Sequence, residues 1–118
     1  MMGKKKKKLL HNGWKGKEER FCAICGRPYA DRHEIFGGSN RQISIREGFQ
    51  VDVCREHHEA LHQNTEEWAQ QYNLAWRRFY ERQWLEDQQV KRGISLQQAV
   101  REWMKMIGKN YLEEIQPE

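Results

Sequence analysis

No apolar run long enough to cross a bilayer occurs in the 118 residues, and the stretch after Met1 lacks the hydrophobic segment of a secretory leader. A cytoplasmic protein that does not enter the membrane is therefore expected. Cysteine is scarce and odd in number. Three residues without a leader do not make a disulfide framework, and reduced thiols fit the cytoplasm. No βαβ pattern surrounds them, which argues against a thioredoxin-like redox pair. Hydrophobic residues make up 37% of the chain, enough for one small domain whose short core needs a staple. Nothing calls for a small-molecule organic cofactor, and the oligomeric state is not readable.

The body also lacks a basic surplus, although the isoelectric point of about 9.1 suggests one. Residues 1–20 hold eight Lys and Arg against two Glu, a net charge of +6, whereas the remainder holds 13 against 15, a net of −2. The basicity is thus a tail. Lys4, Lys5, Lys6, Lys7 and Lys8 read as part of a disordered arm spanning 1–20, serving solubility or non-specific, salt-sensitive contact with nucleic-acid phosphates. Trp14 in that arm either stacks on a base or packs back on the domain.

What the chain does have is a concentration of metal ligands. All three cysteines and four of the five histidines fall between Cys22 and His62. Cys22-Ala23-Ile24-Cys25-Gly26 is a C-x-x-C knuckle whose glycine permits the tight turn behind two thiolates, and Cys54-Arg55-Glu56-His57 repeats the two-residue gap with an imidazole in the last place. Together they form a Cys3His set suited to structural Zn2+. His58 and His62 stand four apart in a segment, 56–63, that reads as the start of a helix, so both rings project from one face. His33, in a short strand-like run before Gly37-Gly38, is the candidate third ligand. Three imidazoles leave positions open for water and a phosphate oxygen, as a catalytic ion requires; the alternative is three histidines with no common partner.

Between the halves, Gly37 to Arg41 is rich in turn formers. Ile43 and Ile45, then Phe49, Val51 and Val53, alternate with polar residues and predict strand on either side of Gly48. The second run would deliver Cys54 into the helix. Arg41 and Arg46 either hold a scissile phosphate or solvate this hairpin. After Gln63 the pattern is helical. Asn64-Thr65-Glu66-Glu67 predicts a capped start to a helix with an apolar stripe at Trp68, Tyr72, Ala75, Trp76 and Phe79, ending at Arg92-Gly93. Ser95-Leu96-Gln97-Gln98 opens a second, with Leu96, Ala99, Val100, Trp103 and Ile107 as its stripe and Gly108 as its stop.

The order C-x-x-C, a His-containing strand, a Gly-rich turn with Asn, then C-x-x-H-H-x-x-x-H resembles the HNH nucleases of the ββα-metal (His-Me finger) superfamily, particularly small phage-encoded members. The resemblance covers Phe21 to Gln63, about half of the chain. It implies an α+β architecture: a basic arm over 1–20, a zinc-stapled ββα-metal unit over 21–63 and a C-terminal helical hairpin over 64–118. It further implies a metal-dependent endonuclease that hydrolyses DNA in phage-related DNA processing or recombination. Carried over by position, His33 is the strand ligand, Asn40 braces the loop, and His58 and His62 are the helix ligands. The service ion would be Mg2+ or Mn2+, with Ni2+ or Zn2+ also favoured by imidazoles. Cys22, Cys25, Cys54 and His57 are the structural zinc set.

The chain departs from the family at the catalytic pair, where Asp-His or His-His before an aliphatic residue is usual and this sequence has His33-Glu34-Ile35. In one register Glu34 is the general base and His33 a ligand. In the other His33 is the base, Arg32 falls where a ligand should be, and Asp31 would have to serve. A non-catalytic, zinc-containing nucleic-acid-binding module derived from the same fold is the second reading, and a zinc-stabilised adaptor docking a partner through its aromatic helices is the third. The sequence leaves DNA form and sequence preference unread.

Overall fold

The computed structural model describes residues 16–115, so Lys4 to Lys8 and Trp14 lie outside the described residues. Within them the chain is α+β, with a two-stranded antiparallel sheet and four α-helices. It divides into two compact units, Met1–Arg55 and Glu56–Glu118. No described helix is long and apolar enough to cross a membrane.

The first unit opens with a 3-10 turn, Lys17–Glu19, followed by the knuckle. Strand β1 (Asp31–Glu34) pairs with β2 (Gln50–Val53), setting Asp31 opposite Val53, Arg32 opposite Asp52, His33 opposite Val51 and Glu34 opposite Gln50. Side chains alternate across a strand, so the deeply buried Asp31 and His33 share one face of β1 while the half-buried Arg32 and Glu34 share the other. Lys17 and Arg20, read from the sequence as tail, belong to the packed body. Lys17 Nζ lies 2.6 Å from Asp31 Oδ1, and Arg20 is buried beside Asp52 at 3.6 Å.

Residues 41–47, expected as strand, form helix α1 (Arg41–Glu47). A 3-10 turn at Gly38–Asn40 leads into it, and a Schellman closure ends it. Gly48, at φ 80°, donates from N to Ile45 O at 3.4 Å, and Phe49 N donates to Ser44 O at 2.8 Å. Two alternating isoleucines were too short a run to specify a strand, whereas Gly48 was a helix stop. Ser44 anchors the helix: its Oγ accepts from Phe36 N at 3.0 Å and donates to Phe36 O at 2.7 Å, fully buried. Replacing it strands both Phe36 groups away from water. Ser44→Ala is therefore expected to cost about 2 kcal/mol in urea denaturation, against a near-zero change for the exposed Ser39→Ala.

The second unit begins in helix α2 (Arg55–Gln63), whose last turn is closed by Asn64 at φ 57°. Buried Asn73 donates from Nδ2 to Leu61 O at 3.0 Å and to Asn64 Oδ1 at 2.9 Å, capping that C-terminus. Helix α3 (Glu67–Arg92) ends at left-handed Gly93, as expected. Its start differs: the N-cap is Glu66, with no side-chain cap, and Glu66 Oε1 instead accepts from Trp68 Nε1 at 2.9 Å. The buried line of α3 is Ala69, Asn73, Glu81 and Leu85, while Tyr72, Ala75 and Phe79 of the expected stripe are exposed. Two of those buried residues are polar, so a hydropathy stripe could not locate the line.

Helix α4 (Leu96–Met106) matches its reading closely. Ser95 Oγ accepts from Gln98 N at 3.1 Å, and Ala99, Val100, Trp103 and Ile107 are buried, only Leu96 being exposed. Arg92 grips Glu102 at 2.6 and 3.0 Å across the Gly93 turn; this pair, with Gln98, holds the Glu102 carboxyl down to about 2. The segment after α4 returns to α3, where Tyr111 N donates to Glu81 Oε1 at 2.8 Å and Arg78 Nε to Tyr111 O at 2.8 Å.

Candidate metal centre

The knuckle is built by backbone hydrogen bonds that aim at sulfur. Phe21 and Pro28 form an antiparallel bridge, Cys22 N donates to Arg27 O at 2.8 Å, and Gly26, at φ 78°, donates to Cys22 O at 2.8 Å. Ile24 N and Cys25 N then both approach Cys22 Sγ at 3.4 Å. Such N–H groups stabilise a thiolate, the form that binds metal. Ala23 N donates to Asp52 O at 2.8 Å, tying the knuckle to β2 two residues before Cys54.

Cys54 follows β2, and the first turn of α2 carries His57 back beside it. The ligand atoms of Cys22, Cys25, Cys54 and His57 all lie within 4.8 Å of one another, the one such group of His, Cys, Asp or Glu among the described residues. Cys22 and Cys54 are buried, Cys25 is exposed, and all three are free thiols. Cys25 Sγ lies 3.8 Å from Cys54 Sγ, far beyond a disulfide bond. It matches the edge of a tetrahedron with metal–sulfur bonds of about 2.3 Å, which is roughly 3.8 Å. Three thiolates and one imidazole in that arrangement can hold a metal ion such as zinc, with no ligand position left open. The His57 ring packs edge-on against Trp68, centroids 5.4 Å apart, a neighbour that ligand spacing did not reveal.

The residues expected to act in catalysis fall as follows. His33 is buried on β1, and α2 is helical through His58 and His62, so those two rings stand one turn apart. Asn40 is half-buried at the N-cap of α1, its N–H donating to Gly37 O at 2.9 Å. Asp31 is engaged at both oxygens, Oδ1 by Lys17 and Oδ2 by Arg55 at 3.1 Å, and so is poorly placed to serve as a ligand. Glu34 is different. Arg41 Nε reaches its Oε1 at 3.4 Å, but Oε2 is buried without a hydrogen-bond partner. Arg46 pairs with Glu47 at 3.0 Å, so both candidate phosphate-binding arginines are held by acids.

A family described as "Protein of unknown function (DUF968)" matches residues 5–85, which contain the whole cluster. No curated protein and no solved structure matches the chain.

Proposed function

The chain belongs to the DUF968 family, and from its own residues we propose that it is a metal-dependent HNH-type endonuclease that hydrolyses DNA. The observation that carries the reading is the Glu34 carboxylate, whose Oε2 is buried and unpartnered on a strand that pairs with the one running into α2. A buried acceptor with no donor costs stability unless a ligand or water fills it, and such groups concentrate at sites of chemistry.

In this reading the Cys3His centre is a staple that holds β2 to the first turn of α2. His33, His58 and His62, which do not form a ligand group among the described residues, would have to converge to hold a second ion, Mg2+, Mn2+, Ni2+ or Zn2+, and that ion would supply charge stabilisation in phosphodiester hydrolysis. Glu34 Oε2 takes the proton of the attacking water as its oxygen bonds to phosphorus and the P–O3′ bond breaks. Arg41, already at Oε1, orients the carboxylate. The other register, with His33 as base, needs Asp31 as a ligand, and the Lys17 and Arg55 pairs on Asp31 favour Glu34 instead. Asn40 braces the Gly37–Arg41 turn. The ion pair between Arg41 and Glu34 also suits the alternative, a zinc-containing nucleic-acid-binding module without catalysis.

Supercoiled-plasmid cleavage by the full chain with Mg2+, Mn2+, Ni2+ or EDTA distinguishes them. Wild type is expected to nick only with metal, and Glu34→Gln to slow the reaction about 100-fold. His58→Ala should abolish it, while His33→Ala tests the ligand on β1. Failure of wild type to cleave under every ion, with DNA binding retained, would leave the binding module.

A further inference from the structure

The three sulfurs of the Cys3His centre are not equivalent. Cys22 and Cys54 are 4% and 2% exposed, whereas Cys25 is exposed and opens an exposed run, Cys25 to Tyr29, at the tip of the knuckle. A Cβ placed on Gly26, the next residue, would meet nothing within 4 Å, so the turn beside this sulfur faces open space. Cys22 Sγ accepts from Ile24 N and Cys25 N, both at 3.4 Å, which makes it the poorer nucleophile. Among the described residues no N–H donates to Cys25 Sγ, which instead faces Cys54 Sγ at 3.8 Å within the same unit. Oxidation of thiolates follows access and nucleophilicity, so the exposed sulfur reacts first and its buried neighbour resolves it.

We propose that Cys25 is an oxidation site, at which a peroxide joins it to Cys54 and opens the metal centre. The Cys25 sulfur attacks one peroxide oxygen: an S–O bond forms, the O–O bond breaks and hydroxide leaves, so sulfur loses two electrons and the peroxide gains them. The Cys54 sulfur then displaces hydroxide from the sulfenic group, forming S–S as S–O breaks. Two thiolates and one hydrogen peroxide thus give one disulfide and two hydroxides, which two protons convert to water. Cys22 and His57 remain as ligands, too few for a closed tetrahedral site. The new link ties the knuckle to the residue that follows β2, as the metal did, so reduction can restore the set. This site rests on the Cys3His centre and is independent of nuclease activity.

Hydrogen peroxide in small excess is added to the zinc-loaded, reduced full chain, and zinc release is followed with a chromogenic chelator. A parallel sample contains dimedone to trap sulfenic acid. Peptide mass spectrometry is expected to find dimedone on Cys25 before Cys22 or Cys54, and without dimedone a Cys25–Cys54 disulfide. Zinc should leave in step with that disulfide, and dithiothreitol with added zinc should restore it. Cys25→His keeps a fourth ligand but removes the exposed sulfur, so peroxide-driven release should slow about tenfold. Dimedone first on Cys22 or Cys54, a Cys22–Cys25 disulfide, or zinc retained after Cys25 is oxidised overturns the proposal. So does release from Cys25→His at the wild-type rate. The wild-type peptide map decides the matter even where Cys25→His fails to load zinc. Reduced wild type that holds no zinc overturns both this site and the metal centre, and leaves plasmid cleavage as the separate test of the nuclease.

Discussion

Cys54→Ala is expected to remove the metal and unfold the first unit with it. Wild-type protein should carry one zinc per chain by elemental analysis, and Cys54→Ala none. Cys54 is buried at the joint between β2 and α2, and it closes the ligand set across the 29 residues that separate it from Cys25. Structural zinc sites supply on the order of 10–16 kcal/mol of apparent binding free energy at neutral pH. That is comparable to the whole stability of about 5–15 kcal/mol usual for a domain, so a unit with a two-stranded sheet is not expected to stay folded without it. Cobalt substitution provides a second readout, since a tetrahedral thiolate site gives intense visible absorption that the variant should lack. Acid should release the ion as the thiolates protonate. Zinc retained at one per chain by Cys54→Ala would show that the ion sits elsewhere.

A second large effect is expected at Glu81, in the other unit. The side chain is fully buried on α3, with Oε1 accepting from Tyr111 N and Oε2 unpartnered. Burial pushes its carboxyl up from 4.5 to about 7; the Tyr111 N–H and Arg82 oppose the rise and Glu114 adds to it. Between those two values the folded chain holds a proton that the unfolded chain has lost. Stability from this group is therefore complete below about pH 4.5, falls as pH rises toward about 7, and changes little above. The swing is about 3 kcal/mol. Glu81→Gln copies the neutral acid and keeps an oxygen for Tyr111 N. Relative to wild type it should gain about 3 kcal/mol between pH 4.5 and pH 8 in urea denaturation. A difference between the two proteins that stays constant across that range would mean the carboxyl is not held neutral by burial. The comparison cancels proton release at the metal centre, which both proteins share.

Legibility followed range along the chain. The zinc ligands were readable because a C-x-x-C knuckle and a C-x-x-H step are local, and Gly26 supplied the turn between sulfur and β1. Helix α4 was readable because Ser95 and an all-apolar buried line agree with each other. Helix α1 was not, since Ile43 and Ile45 fit two periods equally and the deciding contact, Ser44 on Phe36, joins residues eight apart. The buried line of α3 was missed by about one residue, because Asn73 and Glu81 are buried for what they hold: the end of α2 and the backbone of Tyr111.

Residue type and spacing by themselves determined the Cys22, Cys25, Cys54 and His57 set, the helix through His58 and His62, and the C-terminal ends of α3 and α4. Each half of the coordination sphere, like a helix cap, is specified within a few residues. Only the tertiary structure decided that Asp31 is occupied by Lys17 and Arg55, that Glu34 keeps an unpartnered oxygen, and that Cys25 is exposed while Cys22 and Cys54 are buried. Pairing and burial depend on which distant groups the fold brings within a few ångströms, and no local pattern records those distances.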